Sequence, residues 1–205
     1  CLFSGCSVKG DSLMRYIIAS DIHGSEQWCS ELLKVFDKEK ADRLVLLGDI
    51  LYHGPRNDLP EVYLPKKVIA DLNAVKDSIY ICMKGNCDAE VDEMVLDFPL
   101  VPGVERIELN GVKIYATHGH RFNAEADGGR LPEGFESGDV LLHGHTHIPV
   151  ADRVKAGNVE LTLLNPGSTS IPKGGFPNSY AVLGDDLIFT VKDFDGNRLM
   201  SVSLG

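Results

Sequence analysis

The chain lacks most of the features that classify a sequence quickly. Its five cysteines (Cys1, Cys6, Cys29, Cys82 and Cys87) contain no CxxC pair. An odd count, in a chain of 205 residues that can bury a core without staples, argues against a disulfide framework and for a reducing cytoplasm. No apolar run approaches the roughly 18 residues of a membrane span. There is no internal repeat and no low-complexity linker, which excludes solenoids and strings of modules and favours one domain. Positive charge is scarce: 20 Lys and Arg stand against 30 Asp and Glu, a formal charge of -10. Such a chain repels polyanions at long range, so stable nucleic-acid binding is not expected. Its closest basic clusters, Lys66-Lys67 and Lys38-Glu39-Lys40, read as solvated helix faces.

The segment before Met14 carries little signal. Phe3-Ser4-Gly5-Cys6 faintly resembles a bacterial lipid-attachment site, but no charged and apolar signal region precedes it. Residues 1–13 are read as an upstream or non-native extension, Met14 as the natural start, and residues 14–205 as a single domain.

What the chain does have is a recurring pattern. Five short apolar runs each stop at a glycine-flanked cluster of Asp, Asn or His: Asp21-Ile22-His23-Gly24, Gly48-Asp49, Gly85-Asn86-Cys87-Asp88, His118-Gly119-His120, and His143-Gly144-His145-Thr146-His147. Read as buried strands, these runs deliver nitrogen and oxygen donors to one rim of a sheet, where α/β proteins place their ligand sites. Several imidazoles, two or three carboxylates and an amide gathered together suit a pair of divalent metal ions.

The first half alternates strand and helix. Strands are predicted over Arg15–Ser20, Arg43–Leu47 and Ser78–Met83. A helix follows Ser25, with Leu32, Leu33 and Phe36 at helical spacing, and a second spans Glu61–Val75, its start delayed by Pro65. A short helix is predicted over Asp88–Leu96, and His53–Pro60 is a turn-rich loop. This βαβαβ order implies a parallel sheet. In the second half, Asn110-Gly111 joins Glu105–Leu109 to Val112–Thr117 as a hairpin. Asn123–Gly138 is a polar loop with at most one helical turn. Asp139–His143 is a strand, Val150–Val154 and Val159–Leu164 form a second hairpin, and Ser179–Leu183, Leu187–Asp193 and Leu199–Ser203 form a closing meander. The expected fold is α/β, with two packed sheets and helices outside. The edges of the meander are the surfaces through which an oligomer could form.

Asp21 and His23, one residue apart at a strand end, are expected to point the same way and grip one ion. Asp49, at the next strand end, can bridge two ions through its two oxygens. Asn86 offers a neutral carbonyl oxygen. His118, His145 and His147 come from the other sheet and close the site.

The succession DIHG, GD, GNCD, HGH and GHTH resembles the calcineurin-like metallophosphoesterase superfamily. The likeness extends to HGPRN at 53–57, NPGS at 165–168 and SIPKGG at 170–175, a fuller pattern similar to that of small bacterial phosphodiesterases, and it covers nearly everything from Met14 onward. The resemblance implies a four-layer αββα sandwich of two mixed sheets flanked by helices. It implies one metal held by Asp21, His23, Asp49 and His147, a second held by Asp49, Asn86, His118 and His145, and Mn²⁺ as the favoured ion, with Zn²⁺, Fe²⁺ and Ni²⁺ suiting the same donors. His120 fits the family position beside the site, where substrate or leaving group is met. His143 reads as structural, and His53 as a loop histidine. Many members carry His straight after the Asn, where it assists the leaving group; here Cys87 stands there, which puts the acid in doubt and leaves His120 or a metal-bound water to supply the proton.

The implied activity is phosphodiester hydrolysis by a hydroxide bridging two metals, attacking phosphorus in line, with catalytic weight on Asp49, Asn86, His118 and His120. Two carboxylates, two divalent ions and a hydroxide leave the site near +1, which a diester monoanion neutralises. Arg56 and Asn57 are candidate phosphate contacts, and the Asn165-Pro166-Gly167-Ser168 turn is expected to support the rim through backbone groups more than side chains. A phosphomonoesterase with the same site and a non-catalytic protein-binding scaffold are the alternatives.

Overall fold

A computed structural model of the chain describes residues 14–122 and 130–205. Residues 1–13, read above as an extension, and most of the first half of the predicted 123–138 loop lie outside the described residues.

The first sheet is built from β1 (Tyr16–Ala19), β2 (Arg43–Leu46) and β3 (Ile79–Cys82), with β9 (Ser179–Leu183), β10 (Ile188–Asp193) and β11 (Arg198–Ser203) completing the order β11-β10-β9-β1-β2-β3. β1, β2 and β3 run parallel, and β9 joins β1 antiparallel. The second sheet contains β4 (Val104–Leu109), β5 (Val112–Thr117), β6 (Val140–Leu142), β7 (Val150–Ala156) and β8 (Val159–Asn165), in the order β4-β5-β6-β8-β7. Here β5, β6 and β8 are parallel and the two hairpins are antiparallel, so both sheets are mixed.

Strand periodicity sorts the core. On β1, Tyr16 and Ile18 face the second sheet and pack with Ile114, Ala116, Val140 and Leu142. Ile17 and Ala19 face the other way, against α1 (Glu26–Lys38) and α2 (Pro65–Ala74). In α1, Ser25 caps the first turn by accepting from the Trp28 N–H, and Cys29, Leu32 and Val35 form the fully buried stripe. Leu33, expected on that stripe, is half-buried. α2 starts at Pro65, whose missing N–H costs nothing in the first turn. On the outer face of the second sheet, Leu141, Leu161 and Leu163 are covered by Leu131 and Phe135 from coil, with no helix there among the described residues.

The helix predicted over Asp88–Leu96 shrinks to one 3₁₀ turn, Asp92–Met94. Val91, Met94 and Val95 are exposed and Leu96 is the one apolar side chain of the segment that is buried, so there is no apolar stripe to extend a helical nucleus.

Candidate metal centre

The parallel strands of both sheets end at one rim. Asp21 and His23 follow β1, Asp49 follows β2, Asn86 follows β3, His118 follows β5, and His145 and His147 follow β6. Direct bonds join the two sheets there: the His145 backbone N–H donates to Asp21 Oδ2 at 2.9 Å, and His118 Nδ1 donates to the Leu47 carbonyl at 2.7 Å.

Asp21 and His23 do share the site, but not through strand parity as expected. β1 ends at Ala19, and both residues are left-handed, with φ of 57° and 50°. Asp49 (55°), His145 (66°) and His147 (61°) are left-handed too. For residues other than glycine this conformation costs about 1–3 kcal/mol each and persists only where surrounding contacts enforce it. Here backbone bonds beyond the strands enforce it: Asp21 N–H to Gly48 O, His23 N–H to Asp49 O and Gly24 N–H to Ile50 O, at 2.8–3.0 Å. Each tight turn throws a donor side chain inward where a strand would carry it along.

Two glycines give the carboxylates room. A Cβ at Gly85 would overlap Asp49 Oδ1, and one at Gly144 would lie 2.9 Å from Asp21 Oδ2 and overlap Ser20 Oγ. These are the glycines of the GNCD and GHTH stretches.

The histidines are oriented for a cation. Nδ1 of His23 meets the Tyr52 carbonyl at 2.7 Å, Nδ1 of His118 meets Leu47 O, and Nδ1 of His147 meets the Ile171 carbonyl at 2.5 Å. A carbonyl only accepts, so each Nδ1 carries a proton and each Nε2 faces the site, where the neutral ring presents its lone pair. Nε2 of His23 and of His147 lie 3.3 Å apart and both face Asp21 Oδ1, at 3.6 and 3.3 Å. Asp21 Oδ1 is buried without a hydrogen-bond donor of standard geometry. Two buried lone pairs and a carboxylate oxygen in such proximity fit a divalent ion. Asp49 reaches both halves of the cluster: Oδ2 lies 3.8 Å from His23 Nε2, and Oδ1 lies 3.4 Å from His118 Nε2. His118 Nε2 is also 3.2 Å from Asn86 Oδ1, and its ring is 5.1 Å from that of His145. The donor atoms fall into the groups Asp21–His23–His147 and Asp49–His118–His145.

Electrostatics follow this arrangement. Burial alone would raise the Asp21 carboxyl, but His147 and His23 outweigh it and hold it well below the usual carboxylate range. Burial disfavours charge on His118, yet hydrogen bonding to Asp49 and the charges of Asp21 and Asp49 raise it to about 9. Burial, reinforced by His118, lowers His145 to about 4. Cys87 is half-buried, and desolvation together with the Asp49 charge pushes its thiol far up. Its sulfur lies near His23 and Asp49, but a thiol held neutral is a weak ligand and a weak acid.

A cavity of about 510 Å³ opens beside the donor groups, lined by Asp49, Asn86, Cys87, His145 and His147, and also by Arg56 and Asn57. Asn57 also braces its loop, its amide donating to the His53 carbonyl at 2.8 Å. His120 does not line this cavity. Its ring sits 5.5 Å from that of His118 and opens on a second cavity with Lys84 and Arg121 that shares Asn86 with the first. His143 is buried and lowered to about 4 by desolvation, in keeping with a structural histidine. His53 packs edge-on between Tyr52 and Tyr63.

The sequence profile of the calcineurin-like phosphoesterase superfamily domain matches residues 14–185. The chain belongs to that superfamily. It is 42% identical to phosphodiesterase YfcE of Escherichia coli over 192 residues, 94% of this chain and 99% of that protein. The solved structure of YfcE, described as a phosphoesterase, superposes with a TM-score of 0.84 over 94% of this chain and 100% of YfcE, at 41% identity. A predicted phosphoesterase from Streptococcus pneumoniae gives a TM-score of 0.54 at 25% identity, covering 92% of this chain and 95% of its own. Vps29 of Entamoeba histolytica, solved with Zn²⁺, shares the fold alone: TM-score 0.54, 16% identity, covering 94% of this chain and all of that one.

Asp88 escapes motif reading, and the NPGS turn, expected at the rim, supports it by an unexpected means. Asp88, inside GNCD, is buried and accepts backbone N–H bonds from Asp49, Ile50 and Gly85 at 2.7–2.8 Å. The NPGS turn supports the rim through side chains as well as backbone, contrary to expectation: Ser168 Oγ and Ser170 Oγ both donate to the Asp21 carbonyl, while Asn165 Nδ2 donates to the Gly144 carbonyl. An Asp or Ser in a short polar turn looks the same whether it faces water or a buried backbone, so no local signal marks them.

Proposed function

We propose that the protein is a metal-dependent phosphodiester hydrolase working with two divalent cations, one held by Asp21, His23, Asp49 and His147 and the other by Asp49, Asn86, His118 and His145. The observation that carries this reading is Asp49, whose two oxygens address two separate groups of imidazole nitrogens. Held by these residues, divalent ions would acidify a water and draw charge from the phosphoryl oxygens.

The chain's own residues do the rest. The three carbonyl-anchored histidines keep their Nε2 lone pairs aimed without reorganisation. Asn86 adds a ligand without adding charge. With only two carboxylates in the set, Asp21 and Asp49, the loaded site stays cationic and accepts a diester monoanion. Arg56 and Asn57 receive the ester in the larger cavity. The neutral Cys87 thiol is a poor proton donor, so the leaving oxygen takes its proton from His120 or water, and esters of acidic alcohols react best. The name of the E. coli relative supports diesters over monoesters. Nitrogen and oxygen donors suit Mn²⁺. The three described cysteines, Cys29, Cys82 and Cys87, are unpaired, which supports a cytoplasmic setting; no helix among the described residues is long and apolar enough to cross a membrane.

Assay of chelator-treated protein on bis-p-nitrophenyl and mono-p-nitrophenyl phosphate, with and without added Mn²⁺, tests the reading. Mn²⁺-dependent turnover of the diester is expected to dominate. Dominant monoester turnover would make it a phosphomonoesterase, and silence on both with metal bound would leave a scaffold.

A further inference from the structure

In a chain of formal charge -10, the walls of the larger cavity carry more basic than acidic side chains. Its walls carry Arg56 and Lys173, and Asp49 is the one carboxylate among its described lining residues. Divalent ions at the proposed site would neutralise Asp49 and meet the charge of the scissile phosphate, which would leave both basic side chains for something else. Neither side chain has a hydrogen bond or ion pair among the described residues, whereas Lys67, Lys84 and Lys192 each reach a carboxylate.

Lys173 stands on an anchored segment. His147 Nδ1 donates to the Ile171 carbonyl, and the Lys173 backbone N–H donates to the His147 carbonyl at 3.1 Å. The backbone on which Lys173 stands is therefore tied at two points to a donor of the metal centre. Arg56 stands on a loop closed by the Asn57–His53 bond. Two exposed cations, each on an anchored backbone, thus line one cavity of small-molecule size from separate loops, with Pro55 and Ile148 adding apolar wall.

We propose that Lys173 and Arg56 form a clamp for a second negative charge on the substrate, so that preferred diesters carry a phosphate or carboxylate on the ester arm lying in this cavity. The guanidinium offers a planar fork and the ammonium a point charge to the same anionic group. The inference rests on the phosphodiesterase reading above and narrows its substrate class.

The test is a series of p-nitrophenyl diesters with one leaving group, whose other arm ends in a neutral methyl ester, a carboxylate or a phosphate, assayed on the Mn²⁺-loaded full chain. The charged arms are expected to raise kcat/KM over the neutral arm by about tenfold at low salt, and by less as salt screens the clamp. Lys173→Glu should lower that ratio by about tenfold, Arg56→Gln by less, and Lys155→Glu, at an exposed position on β7, should leave it in place. No preference for charged arms in the unaltered protein, or equal effects of Lys173→Glu and Lys155→Glu, overturns the clamp. Binding of the matching methylphosphonate analogues, read by calorimetry, tests it without turnover: equal affinity of the unaltered protein and Lys173→Glu for the charged analogue overturns it. Failure to hydrolyse every ester, the neutral diester included, overturns the phosphodiesterase reading instead.

Discussion

Both carboxylate oxygens of Asp88 are committed to the backbone that carries Asp49. Oδ2 accepts the Asp49 N–H at 2.8 Å and the Gly85 N–H at 2.7 Å, and Oδ1 accepts the Ile50 N–H at 2.8 Å. One buried side chain thus ties the loop after β2 to the loop after β3 and helps hold Asp49 in its left-handed conformation.

Asp88→Asn leaves an amide N–H₂ facing a backbone N–H, whichever way it is turned. Supporting residues behind metal ligands are worth about 10–100-fold in metal affinity. The substitution is expected to weaken Mn²⁺ binding by that order, as read by calorimetry. Asp88→Ala, which leaves all three N–H groups unpaired, should also lower stability by about 3 kcal/mol. Unchanged metal affinity in Asp88→Asn would show that Asp88 does not position Asp49.

Asp49→Asn keeps the shape of the site and removes the charge shared between the two donor groups. Turnover is expected to fall below detection, with metal content reduced from two ions toward one by elemental analysis. His118→Ala and His145→Ala should abolish turnover through loss of the second ion. Unaltered kcat in metal-replete His145→Ala protein would contradict the proposed ligand set.

Metal uptake should release protons. His118 is raised to about 9 by Asp49 and Asp21, so at pH 7.5 the metal-free imidazole is largely protonated on Nε2, and a cation must displace that proton. Affinity should therefore fall as pH falls from 9 to 6. Calorimetry in two buffers of different ionisation enthalpy measures the release directly, and an identical heat in both would refute it. Adding Mn²⁺ to chelated protein should raise Tm, because the folded state alone presents the donors together.

Cys87→His would put an imidazole in place of a thiol that burial and Asp49 keep neutral. The expected gain, about tenfold or more in kcat, falls on esters with poor leaving groups, with little change for p-nitrophenyl esters, whose departure needs no acid. Equal gains across a leaving-group series would point to altered metal binding instead.

The strands and tight turns could be read largely from local pattern, whereas the strand order, with β9 beside β1 and β8 beside β6, could not. The alternation of Tyr16 to Ala19, the Asn110-Gly111 turn and the spacing of Leu32 from its neighbours each reflect interactions within a few residues. The helix expected after Asp88 does not extend, because Val91 and Met94 are exposed and nothing local reveals it. Strand parity brought Asp21 and His23 together for the wrong reason, since the left-handed φ of both is enforced by backbone partners on another strand end.

By itself the sequence determined which donors this protein owns, their order behind the strands, and a charge balance suited to a phosphate monoanion. Only the tertiary structure decided which imidazole nitrogen His23, His118 and His147 present. Those choices depend on carbonyls 29, 71 and 24 residues distant, at Tyr52, Leu47 and Ile171. Local periodicity records the partners a residue meets along its own element, whereas a backbone acceptor delivered by a different loop exists only once strand pairing or the closing of the two sheets has brought that loop alongside.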